Sequence, residues 1–181
     1  MAQTFLNLAK GVTGTLPTSN YSDNGKILQV KQGTTTTQVE NSFSSETSLG
    51  LSVSITPSSS SNKILIFLEA GGCGSRNTDT WWKLTLNRDT TDIINVASYI
   101  GNSANSGEEM YPSGVYLDSP SSTSSISYNL TGTRTSGSGN CYFLHNASSP
   151  NITTATITVM EISAWLILVL IVVLILKTNV N

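Results

Sequence analysis

The sequence predicts an all-β domain: an antiparallel β-sandwich of the jelly-roll kind with about eight to ten strands. Three observations carry this. Leu49, Leu51, Val53 and Ile55 alternate with Ser48, Gly50, Ser52 and Ser54, the period-two pattern of a strand with one buried and one wet face. Short apolar stretches of this kind recur, separated by Gly, Pro, Asn and Ser turn signals. No helical period of 3.6 occurs before residue 164.

Each element follows in order. Residues 26–32 and 36–43 are predicted to pair with each other. Residues 49–55 end at Pro57 and the serine run 58–61, and KILIFLEA (63–70) follows as a near-continuous apolar strand suited to a central position. These two are expected to form a hairpin across a five-residue loop. Trp82, Leu84 and Leu86 alternate again, and Asn87-Arg88-Asp89-Thr90 turns the chain into DIINVA (92–97). Residues 101–114 read as a long surface loop. Short strands are expected at 115–117, 126–130, 141–145 and 155–162, with TGTRTSGSGN (131–140) as a further polar loop.

Composition narrows the function. Ser and Thr together make 52 of 181 residues, whereas Asp, Glu, Lys and Arg make only 11%, with a net charge of −2. An ordinary soluble domain carries about 25% charged residues. No basic excess is available to neutralise phosphates, so nucleic-acid binding is not expected. Thr and Ser on alternate strand positions keep an outer face hydrated without strong charge fields.

The residues offer little chemistry. One histidine, His145, and two cysteines, Cys73 and Cys141, are the soft ligands, too few at recognisable spacing for a zinc site. The cysteines read as buried thiols or as one possible pair. No G-x-S-x-G elbow occurs, and Glu108-Glu109 are neighbours in a loop rather than carboxylates on converging strands. No enzyme activity, metal or cofactor is expected. Trp81 and Trp82 are adjacent in a strand, so one indole should face the core and the other the outside. An exposed indole can stack on a sugar or on a neighbouring subunit. The candidate contact loops are 76–82, 102–111 and 134–140, with Arg76, Trp81, Trp82, Glu108, Glu109, Tyr111 and Arg134 as their candidate contact residues.

The organisation is a short extended N-terminal connection (1–24), the β-domain (25–163) and an apolar C-terminal segment (164–181). The last contains AWLILVLIVVLIL (164–176) followed by Lys177. As a helix this run would span about 20 Å, short of the ~30 Å hydrocarbon core. Trp165 and Lys177 bracket it as interfacial anchors would, with Leu170 and Leu176 inside it. Insertion in a membrane, packing in an oligomer core and an extension without function all remain open for this run.

The N-terminal LAKGVTGTLPTSNY (8–21) resembles the Gly-Val-Thr-Gly-Thr-Leu-Pro linker of tailed-phage fibre proteins. Residues 52–72 (SVSITPSSSSNKILIFLEAGG) together with TATITVMEI (154–162) are similar to the small β-domains at the ends of such fibres. The resemblance implies a C1q/TNF-like jelly roll that forms a homotrimer on the virion, contacts other virion proteins and attaches to a host-surface glycan or protein. In that pattern the chain ends near Glu161-Ile162, so the apolar run departs from it. A membrane-anchored surface protein held by residues 164–176 is the alternative expectation.

Overall fold

The computed structural model describes residues 25–77, 79–102, 110–144 and 154–164. They form eleven strands and no helix: β1 (Ile27–Thr35), β2 (Val39–Asn41), β3 (Thr47–Ile55), β4 (Lys63–Glu69), β5 (Cys73–Ser75), β6 (Thr80–Arg88), β7 (Thr91–Asn102), β8 (Ser113–Asp118), β9 (Ile126–Ser136), β10 (Cys141–Phe143) and β11 (Ala155–Ile162). All pair antiparallel. The predicted C-terminal helix and the N-terminal connection lie outside the described residues.

Two four-stranded sheets, β1-β11-β4-β8 and β3-β9-β6-β7, make the sandwich, and β2-β10-β5 form a small third sheet. Counting only the eight strands of the larger sheets, their spatial orders are 1-8-3-6 and 2-7-4-5. This alternation between sheets is the double Greek key of a jelly roll. It places the first and last strands side by side. Gly25 N donates to Ser163 O at 3.2 Å, and Ser163 N to Lys26 O at 3.0 Å, so the chain enters and leaves this domain at one end.

The alternation seen in the sequence decides what is buried. Leu49, Leu51, Val53 and Ile55 of β3, Ile64, Ile66 and Leu68 of β4, and Ile157 and Val159 of β11 share one core. β6 and β9, in the same sheet as β3, add Trp82, Leu84, Leu86, Ile126, Tyr128 and Leu130. Burying each such side chain is worth about 1.5–3 kcal/mol before the entropy of ordering the chain is counted.

Several expectations need correction. The segment at 26–32 does not pair with that at 36–43: β1 pairs β11, and β2 pairs β10. β3 and β4 are not a hairpin but lie in opposite sheets, because the connection through Pro57 crosses the sandwich rather than reversing in plane. The β6–β7 hairpin is present, with a tight turn at Asp89-Thr90 where Asp89 takes φ +54°. The two polar loops are shorter than expected. Residues 101–102 and 113–114 belong to β7 and β8, and 131–136 extend β9. Gly132 suggested a loop, yet it is a packing glycine. A Cβ there would meet Trp82 Cζ3 at 3.0 Å and the Phe43 ring at 3.2 Å.

Candidate functional site: two outer faces and a loop end

The registers define what each sheet shows to the outside. On the outer face of β1-β11-β4-β8, one cross-strand row is Val30–Met160–Leu65–Leu117. The next row runs Gln32–Thr158–Phe67–Val115, and on the other side Ile27, Ile162 and Lys63 align. Eight apolar side chains are therefore contiguous. Leu117 is 55% exposed, Val115 62% and Val30 51%. Contiguous exposed apolar patches of this kind mark interaction surfaces. Charge is confined to its margins, at Lys63, whose Nζ donates to Ser119 Oγ at 2.7 Å, and at Glu69.

β4 explains the patch. Ile64, Ile66 and Leu68 point inward while Leu65 and Phe67 point out, so the strand is apolar on both faces. Such strands belong to sheets covered on both sides.

The outer face of β3-β9-β6-β7 has the opposite character. Its rows read Ser52–Asn129–Asn87–Asp92 and Ser48–Thr131–Thr85–Asn95, with Thr133 opposite Lys83. At its far end Trp81 stands opposite Ser136 on one side and Gly101 on the other. Tyr99, 74% exposed, meets Trp81 edge to face, with centroids 6.5 Å apart at 76°.

Four of the residues singled out from the sequence come to this end, opposite the one where the chain enters and leaves the domain. Trp81 is half-buried on the outer face. Arg76 follows β5, where its guanidinium donates to both carboxylate oxygens of Glu40 at 3.3 and 3.1 Å and lies 5.3 Å from the centroid of the Tyr142 ring. Its side-chain hydrogen bond to Glu40 raises the Arg76 pKa further. Tyr111 is exposed beside a cleft of about 400 Å³ lined by Glu69, Ala70, Pro112, Ser113 and Thr154. Arg134 is half-buried on β9 rather than in a loop, and its Nη1 donates to Gly139 O at 3.3 Å.

Trp82 corrects the list of contact residues. It is fully buried, its Nε1 donates to Gly74 O at 2.9 Å, and its ring meets Phe43 edge to face at 5.1 Å. Its place is the core, because strand alternation sends one of two adjacent indoles inward. Glu108, Glu109 and His145 lie outside the described residues, as do Trp165, Leu170, Leu176 and Lys177. Tyr99 was missed by sequence reading. It lies beyond the predicted strand end at residue 97, and only the longer β7 brings it to Trp81.

The opposite end holds two buried carboxylates in one inward row, Gln29–Glu161–Ile64–Asp118. Asp118 accepts from Arg88 Nη1 at 2.9 Å through each oxygen, from Tyr128 Oη at 2.7 Å and from Ser119 N at 2.8 Å. Burial, and the bond to Asp118, push the Tyr128 phenol well above its usual range. Glu161 accepts from Ser58 N, Ser58 Oγ and Asn62 Nδ2 on one oxygen and from Gln29 Nε2 on the other, at 2.6–2.8 Å. Both carboxylates are saturated with donors and stitch the sandwich shut where the chain enters and leaves.

Cys73 and Cys141 are free and buried. Burial raises both thiols, Cys141 to about 12, so neither is a thiolate at neutral pH. Among the described residues no group of three or more His, Cys, Asp or Glu could hold a metal ion, and no helix is long and apolar enough to cross a membrane.

No family model matches this chain, and no curated protein matches it. Among solved structures it is similar to the T13 viral particle of infectious bursal disease virus, at 14% identity and TM-score 0.40. That match covers 75% of this chain and 36% of the other. The VP2 subviral particle of the same virus follows at 16% identity and TM-score 0.38, covering 76% and 38%. Dimeric latent PorU from Porphyromonas gingivalis matches at 10% identity and TM-score 0.34, covering 79% and 14%. This chain thus spans well under half the length of each. The likenesses are too loose to imply a shared role.

Proposed function

We propose that the chain is a virion structural protein, a fibre-tip type of domain that assembles as a homotrimer and attaches the particle to a host surface without turning over a substrate. The observation that supports it best is the apolar outer face of β1-β11-β4-β8. A sheet apolar on both sides needs a cover, and further copies of this chain supply one of matching chemistry: an uncharged centre with charge only at the rim. Three-fold closure would bury the face on every subunit. The polar sheet and the loop end then face outward, where attachment belongs. The resemblance of residues 8–21 to a fibre linker fits the same arrangement.

The test is the mass of the full-length protein in solution. A trimer is expected. Leu117→Glu places a charge on each copy within the buried row and should yield monomers of unchanged far-ultraviolet circular dichroism. A wild-type monomer, or a trimer that survives the substitution, overturns the assembly.

A second reading, a surface protein anchored by residues 164–176, is favoured by the uncharged run itself. It expects the full chain to float with phospholipid vesicles and a Lys177-to-Asn181 chain end to remain outside them. Recovery of the chain solely in the vesicle-free fraction excludes it.

A further inference from the structure

The geometry points to Trp81 and Tyr99 as a carbohydrate-binding platform, the surface through which the outward sheet would recognise a neutral hexose-type glycan. This rests on the attachment reading above and gives it a ligand class.

Tyr99 is 74% exposed, and among the described residues the rows of this face carry hydroxyl, amide and a few charged groups. A protein partner would find little apolar surround to bury among the described residues. A sugar fits this chemistry, because its C–H face stacks on an aromatic ring while its hydroxyls need many small polar partners. Ser136 stands directly opposite Trp81, and Thr133 and Lys83 occupy the next row on the same face.

The indole is also held in place. Gly101 lies across from Trp81, and a Cβ there would meet Trp81 Cε3 at 2.8 Å and collide with Thr80 O. The ring therefore lies over the bare glycine backbone. Tyr99, at 76° to it, forms a wall beside this floor. A ring fixed before binding loses little side-chain entropy when a sugar arrives.

The experiment uses the full-length protein on a panel of immobilised oligosaccharides ending in glucose, galactose, N-acetylglucosamine or rhamnose, and on a panel of bacterial strains treated with periodate or with protease. Binding to a subset of the sugars is expected, about tenfold weaker or worse for Tyr99→Ala and Trp81→Ala, the loss of one stacking contact each. Tyr99→Ala should keep the wild-type mass and circular dichroism, since the side chain is exposed. Cell binding should be lost after periodate and kept after protease. Sugar binding unchanged in Tyr99→Ala overturns the platform. Cell binding that survives periodate and is lost to protease overturns the glycan while leaving attachment standing. Binding to no strain and no sugar overturns both. A Tyr99→Ala protein that changes mass but not sugar binding assigns the pair to a subunit contact instead.

Discussion

Trp82→Ala is expected to lower the unfolding free energy by about 3–5 kcal/mol, the cost of emptying a large aromatic site in a packed core. Domains of this size are stable by only ~5–15 kcal/mol, so the variant should be close to unfolding at physiological temperature. Three contacts are lost together. The indole is fully buried, it packs edge to face on Phe43, and its Nε1 is the donor to Gly74 O. That carbonyl would be left in a buried strand without the indole, which adds a desolvation cost. Gly132 lies beneath the ring and offers no side chain on that side to collapse into the cavity. The comparison with Trp81→Ala is decisive. Its indole is half-buried on the outer face, and its loss should cost less than about 1 kcal/mol. Urea unfolding followed by circular dichroism measures both. Equal losses for the two variants, or a loss under about 1 kcal/mol for Trp82→Ala, would contradict the assignment of one indole to the core and one to the surface.

How much of this was legible follows from which contacts are local. The alternation in residues 49–55 and 82–86 gave the inward positions of β3 and β6, and the adjacency of two tryptophans fixed that only one could be buried. Strand partners are less accessible. β1 pairs with β11 more than a hundred residues away, and no local signal names such a partner. Gly132 misled because a glycine in a strand leaves the same mark as one in a turn, and only the ring packed on it distinguishes them. The apolar face was half visible. KILIFLEA reads as a strand buried on both sides, which is true of its inward face in one chain and leaves Leu65 and Phe67 waiting for cover. Of the candidate contact residues, Arg76, Trp81, Tyr111 and Arg134 lie together at one end because strands or short connections hold them there. Tyr99 was invisible because the bulges in β7 break the period that would have extended the strand to it.

Glu161 makes stability depend on acid in a defined direction. Burial by itself would raise its pKa, but the hydrogen bonds from Asn62, Gln29 and Ser58 outweigh this and hold it below the usual 4.5. The folded state therefore prefers the carboxylate more than the unfolded chain does. The stabilisation is complete above about pH 4.5 and is lost as pH falls through the folded value. Glu161→Gln keeps the shape, removes the charge and sets an amide group against donors. Hydrogen bonds to a charged acceptor contribute about 1.5–3 kcal/mol each, and the donors that stay paired soften the loss, so a destabilisation of about 2–3 kcal/mol at pH 7 is expected. Gln29, Ser58 and Asn62 come from β1 and from the crossing between β3 and β4, and Asn62 Oδ1 in turn accepts from Ala164 N at 3.1 Å. The damage should thus concentrate where the chain enters and leaves, and amide exchange at Lys26 and Ser163 should quicken first. Urea midpoints of both proteins between pH 7 and pH 3 carry the test. The gap between them should narrow as pH falls below 4.5, because the wild type then loses the same carboxylate that the variant lacks. A gap that stays constant across this range would mean that Glu161 acts by shape alone.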